Sequence, residues 1–310
     1  MVAGANGGVE RWSADELLGE LREFEAALRD GGLAENTVQT YVGRSEIFVR
    51  WLSGGYLPRG PNEAQGRAPK LALATVGREA LRDLGGRWTR EQIAEVLREY
   101  GVLTSFDASL RELQRVTGAS ADLGNAGHRT AVIAWLRAWG CRHLRRADER
   151  RTDQALEGWW HDWRGHLPGV TTAITELGDT ELHDLAAQFD ALASARVAAR
   201  SIGGRDVDVR FGDTATAKTL YAIRPQAMLP WDAPIRLAFG WTRGGGAAYE
   251  ELLRLAADAL QALAARLGTP MAALPTALGR AESSPPKLVD EFLWVTVTRR
   301  IGLDWMGNRQ

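Results

Sequence analysis

Residues 13–32 read SADELLGELREFEAALRDGG. Ser13 and Glu16 stand at the S-x-x-E spacing of a capping box, where each side chain accepts a backbone N–H that the first helical turn leaves open. Leu17, Leu21, Phe24 and Leu28 then recur at three- and four-residue intervals, the repeat of one helix face. Gly31-Gly32 stops the run. This predicts a capped amphipathic helix, and the same grammar recurs along the chain. A second helix is expected from Asn36, with Gln39 at its third position, a stripe of Tyr41, Phe48, Trp51 and Leu52, and a stop at Gly54-Gly55. Thr89 and Gln92 cap another, holding Ile93, Val96, Leu97 and Tyr100 and closed by Gly101. Leu110 and Leu113 mark a short helix ended by Gly118, and 126–139 carries Val132, Trp135, Leu136 and Trp139 before Gly140. Further helices are expected around Trp159, Trp160 and Trp163, over 180–200, and over about 247–266 and 286–300. The one strand expected is short, Val207 to Phe211, where apolar and charged residues alternate. Ten or so helices with almost no sheet make the fold class all-α.

Composition sets the outer bounds. At 310 residues the chain can bury a sizeable core. Its formal net charge of -1 removes the bulk argument for nucleic acid, so any such role must rest on local arginine clusters. A single cysteine, Cys141, excludes an internal disulfide framework, a cysteine-rich zinc site and an iron–sulfur cluster. It also suits a reducing, cytoplasmic setting. No uninterrupted apolar run approaches membrane-spanning length, so no membrane association is expected. The five histidines (His128, His143, His161, His166 and His183) fall at no convincing metal spacing, and neither a metal nor a cofactor is expected. Residues 1–12 read as a disordered tail, 13–57 as a small helical segment, 58–72 as a Gly/Pro-rich linker, and 73–310 as a larger helical domain. A monomer is expected.

The run GLAENTVQTYVGRSEIFVRWLSGG, residues 32–55, resembles the SAM-like core-binding domain of tyrosine recombinases, the phage integrases. The resemblance covers about 15–57 and implies a helical clamp on double-stranded DNA. Thr37, Tyr41, Arg44 and Arg50 are then the candidate phosphate contacts, with Arg59, Arg67 and Lys70 following. Phosphate contacts need only donors and positive charge on one face. The recombinase Arg…His-x-x-Arg…Tyr arrangement is not found in the remainder.

The run FGDTATAKTLYAIRPQAMLPWDAPIRLAFGW, residues 211–241, resembles the catalytic stretch of helix-hairpin-helix (HhH-GPD) DNA glycosylases. The likeness extends over about 167–241. It implies a DNA glycosylase that flips out a modified base and cleaves its N-glycosidic bond, leaving an abasic site. Asp232, at the head of a helix, corresponds to the essential carboxylate, and Lys218 to the lysine whose attack on the sugar would add lyase activity. A fixed carboxylate suits the positive charge that develops on the sugar. A nucleophilic lysine requires a pKa lowered by burial. An unusual base, such as a hypermodified base of phage DNA, would make the protein a defence factor. Asp232 followed by Ala233, Pro234 and Ile235 also reads as an ordinary helix cap.

A flipped base needs an aromatic wall. Trp231, adjacent to Asp232, is the foremost candidate and Tyr221 another, and Trp159, Trp160 and Trp163, which cannot all face inward from one helix face, are further candidates. Arg142, Arg145 and Arg146 belong to the densest basic run, a second candidate phosphate patch, and Thr214 and Thr216 sit at a helix start, where anions are held. The tail helix 286–294 is amphipathic and expected to close the core, with Asp290 and Glu291 able to reach a pocket. A non-catalytic DNA-binding module and a helical interaction scaffold remain alternative readings.

Overall fold

The computed structural model describes residues 13–52, 70–202 and 205–299. The helices are α1 (Ala14–Asp30), α2 (Glu35–Leu52), α3 (Lys70–Arg82), α4 (Arg90–Leu103), α5 (Phe106–Thr117), α6 (Ala126–Ala138), α7 (Glu149–Trp163), α8 (Asp179–Ser194), α9 (Asp213–Ile223), α10 (Ala233–Ala238), α11 (Gly246–Leu267), α12 (Leu274–Ala277) and α13 (Pro285–Leu293). Strands β1 (Arg196–Ile202) and β2 (Arg205–Arg210) form one antiparallel hairpin. The fold is all-α. No described helix is long and apolar enough to cross a membrane.

The chain divides into two compact units. The first contains α1 and α2. Its capping box is formed: Ser13 N–H donates to Glu16 Oε2 at 2.6 Å, and Glu16 N–H donates to Ser13 Oγ at 3.2 Å. Helix α2 begins one residue before the expected start, and Gln39 donates to Glu35 Oε1 at 3.1 Å instead of capping the turn.

The second unit runs over 67–101 and 106–306. The cap at Thr89 and Gln92 forms, yet α4 continues through Gly101 to Leu103, because one glycine weakens a helix without ending it. Gly118 and Gly140 do end α5 and α6, at φ 70° and 91°. Helix α3 fills part of a stretch to which the sequence reading assigns no element. The helix expected over 180–200 stops at Ser194, and the alanine-rich residues after it form β1 instead. Pairing with β2 and full burial of Val197 outweigh the helix preference of that run. At the chain's far end α13 gives way after Leu293 to a π-helical turn, Trp294–Thr298. The core is continuous through α4 to α13, with α11 packed along α8, where Phe189 stacks on Tyr249 at 4.7 Å.

Candidate functional site

Asp232 caps α10. Its Oδ1 accepts the Ile235 N–H at 3.0 Å, and Pro234 lies in the first turn. Its other oxygen, Oδ2, accepts no hydrogen bond among the described residues. Burial raises the carboxyl above the ordinary aspartate value, and the Ile235 N–H and the Lys218 ammonium pull against that rise. The residue is only half-buried.

Lys218 lies mid-way along α9, 8 % exposed. Its ammonium donates to the Trp139 carbonyl and sits 4.9 Å from the Trp139 ring centroid. Trp139 is the residue that ends α6. Carbonyls at a helix C-terminus lack an intrahelical partner and carry the negative end of the macrodipole, so this place favours a cation.

A second lysine shares the same indole. Lys287 of α13 is 1 % exposed, with Nζ 5.2 Å from the Trp139 centroid and 4.2 Å from that of Tyr100. It donates to Asp290 Oδ2 at 2.7 Å and to the Tyr100 hydroxyl at 2.9 Å, with Glu291 Oε1 at 3.5 Å. Glu291 in turn accepts from Arg280 at 2.8 and 3.0 Å, and Arg280 reaches Asp107 at 2.6 Å. Burial alone would lower Lys287; Asp290, Tyr100 and Glu291 hold it well above the usual lysine value. Burial raises Asp290, against the pull of Lys287 and, more weakly, of Lys218, while Asp232 adds to the rise. Lys218 thus bears on both Asp232 and Asp290, and Lys287 on Asp290. Burial pushes the Tyr221 phenol, one helical turn after Lys218, up to about 12.

The sequence pattern marked Asp232 and Lys218 but overlooked Lys287, Arg280, Tyr100 and Trp139. A signal existed: Lys287, Asp290 and Glu291 stand at i, i+3 and i+4 on α13, whose nine residues are all buried. Three charges on one face of a buried helix must find partners.

Several expected site residues are placed otherwise. Trp231 is 1 % exposed and walled by Phe189 at 5.7 Å, Tyr249 at 5.5 Å and Trp241 at 6.0 Å, with its Nε1–H donated to the Asp213 carbonyl at 3.2 Å. It is a core side chain with no open face for a base. Trp159 and Trp160 are both buried, Trp159 donating to the Gln188 carbonyl at 2.9 Å and Trp160 lying under Arg224. Neighbouring elements cover two sides of α7, so two adjacent tryptophans can both be enclosed. Trp163 is half-buried against His166. Thr216 is fully buried and donates to the Gly212 carbonyl at 3.0 Å, which removes it as a phosphate contact. Thr214 is half-buried.

On the basic run, Arg142 and Arg145 are exposed on a 3-10 turn, Arg142–Arg146, that begins three residues after Trp139. Arg142 makes no ion pair among the described residues. In the first unit Tyr41 is 52 % exposed and Thr37 half-buried. Arg59 and Arg67 lie outside the described residues, as do the side chains of Arg44, Arg50, Lys70 and Arg146. Among the described residues no histidine, cysteine, aspartate or glutamate group is arranged to hold a metal. An open groove of about 610 Å³ at the foot of the hairpin is lined by Asp190, Ser194, Arg210 and Asp213, among others; Asp232 is not part of its lining.

No protein-family model matches the chain, and neither a curated protein nor a solved structure does.

Proposed function

We propose that this chain is a DNA glycosylase in which Asp232 stabilises the positive charge that builds on the sugar as an N-glycosidic bond breaks. One observation carries the reading. A half-buried carboxylate caps a helix through one oxygen and accepts no hydrogen bond at the other among the described residues, and burial raises it above the ordinary aspartate value against the pull of Lys218. A fixed charge in a low-dielectric site is worth far more to a developing cation than the same charge in water. The carbonyl that holds Lys218 lies three and six residues before the exposed Arg142 and Arg145, so a phosphate-binding turn would adjoin the reacting centre. The exposed Tyr41 and the half-buried Thr37 of α2 offer further backbone contacts in the first unit.

The test incubates the full-length protein with duplex oligonucleotides carrying damaged or modified bases, hypermodified phage bases included, followed by alkali to cut abasic sites. Asp232→Asn is the informative variant, since asparagine caps a helix as well as aspartate does and the fold is kept. Expected is a loss of about 10²–10³ in kcat, the cost of removing one preorganised stabilising group. Strand breaks that persist at the wild-type rate in Asp232→Asn sink the reading. Salt-dependent binding without breaks would instead favour a non-catalytic DNA-binding module, and no binding a helical scaffold.

A further inference from the structure

We propose that Arg142 and Arg210 form a two-arginine clamp for a phosphodiester group of DNA, at the groove at the foot of the hairpin. The inference rests on the DNA-binding part of the reading above and takes nothing from the chemistry of Asp232.

The two arginines come from distant parts of the chain, and one hydrogen bond between their neighbours places their backbones side by side. His143 Nε2 stands 2.8 Å from the Phe211 carbonyl oxygen. A carbonyl only accepts, so the ring nitrogen donates. Arg142 precedes His143, and Arg210 precedes Phe211. Gly212, next along, has φ 80°, and a Cβ built there would lie 3.8 Å from the same ring nitrogen. A second bond ties the same two segments: the Asp148 N–H donates to the Val197 carbonyl of β1 at 3.2 Å. The basic turn and the hairpin are therefore fixed to each other at two points, and the two arginines flank the first.

Charge accounting at this place leaves both arginines open. Their side chains are exposed, and neither guanidinium makes an ion pair or hydrogen bond among the described residues. Arg210 stands directly across the ladder from Arg196. Like charges in that position destabilise a hairpin. Asp208 relieves Arg196 at 2.8 Å, and Arg210 keeps its charge unanswered. Arg210 also lines the groove of about 610 Å³, together with two acids. Both acids are engaged: Asp213 pairs with Arg236, and Asp190 Oδ1 accepts the Gly246 N–H at 2.8 Å. Asp190 thereby sits at the positive end of α11, which offsets its charge. An anion that enters the groove meets Arg210 and Arg142 as the open charges. Guanidinium forks match phosphate oxygens in geometry as well as in charge. The groove wall also adjoins the proposed reacting centre by direct contact. The Asp213 carbonyl accepts the Trp231 Nε1–H at 3.2 Å, and Trp231 precedes Asp232.

The experiment titrates the full-length protein against a short fluorescent DNA duplex, by anisotropy, from about 50 to 200 mM salt. Arg142→Gln and Arg210→Gln are each expected to lower the slope of log affinity against log salt by about 0.9, and to weaken binding at low salt by about 10-fold. Both side chains are exposed, so the fold is kept. Arg115→Gln, exposed on α5 and already paired with Glu112, is expected to change neither. His143→Ala tests the positioning bond. It is expected to weaken binding as far as either arginine variant does, whereas His143→Gln, which can still donate to the carbonyl, restores most of it. Wild-type slopes in both arginine variants would overturn the clamp and leave DNA binding elsewhere on the chain standing. So would calorimetry in which both variants lose affinity for inorganic phosphate while their DNA slopes stay unchanged, since the site would then hold free phosphate. A wild-type chain that binds no duplex at any salt removes the DNA reading and the clamp together. None of these readouts needs base release, so a failure of Asp232 as the reacting carboxylate leaves the clamp in force.

Discussion

Replacing Lys287 by methionine keeps most of the side-chain volume and deletes the charge at the centre of the network. Glu291 would retain Arg280, at 2.8 and 3.0 Å. Asp290 would lose its one hydrogen bond among the described residues, and the Tyr100 hydroxyl its Lys287 donor. Removing one partner of a buried pair leaves an uncompensated charge inside and costs about 3–5 kcal/mol. For a unit of this size, about 2–4 °C of melting temperature accompany each kcal/mol, so Tm should fall by about 6–20 °C. Urea unfolding at neutral pH and thermal melts followed by circular dichroism both read the loss. The double variant Lys287→Met with Asp290→Leu removes both charges and should recover much of it, because an apolar pair of similar volume is often no worse than the ion pair. A single variant within about 1 kcal/mol of the wild type would refute the reasoning, since it would mean that the two charges are solvated in place.

Alkaline pH should destabilise the fold in a defined window. Lys287 is held well above 10.5 in the folded chain, and burial raises the phenols of Tyr100, Tyr221 and Tyr249 above 10. Each contributes stability that is complete below its unfolded value and is lost as pH rises through the folded one, by up to about 1.4 kcal/mol per group per pH unit. Urea midpoints that stay flat between pH 9 and 11.5 would contradict this. Gly246→Ala should destabilise by about 1–3 kcal/mol or more, since a Cβ there would land inside the Ala186 carbonyl where α11 meets α8. Thermal unfolding checks it, and an unchanged Tm would show that the two helices can part without cost.

What could be read from the sequence was mostly local. Ser13 with Glu16, Thr89 with Gln92, and the glycines after α5 and α6 carry their information within four residues, and those ends form as expected. The whole-chain balance of helix over strand followed from the same periodicities. Burial set by distant partners was less legible. Trp231 and Tyr249 pack against each other from positions 18 residues apart, and nothing next to Trp231 in the chain announces that its ring is closed off. The first strand hid in an alanine-rich run because only its pairing with Arg205–Arg210 defines it. At the site, Asp232 stood out through its helix-head setting, whereas the charges of α13 gain meaning only beside Tyr100, Trp139 and Arg280, drawn from three other parts of the chain.

The chain's lone thiol offers an experimental convenience. Cys141 is 1 % exposed, and burial pushes its thiol above the usual value, so the folded protein presents scarcely any thiolate to an alkylating reagent. A cysteine introduced at Arg145 would then be the position a maleimide dye finds first. Fluorescence from that dye would report, on one defined turn, whether nucleic acid approaches the basic surface, with no need to strip the native sulfur beforehand.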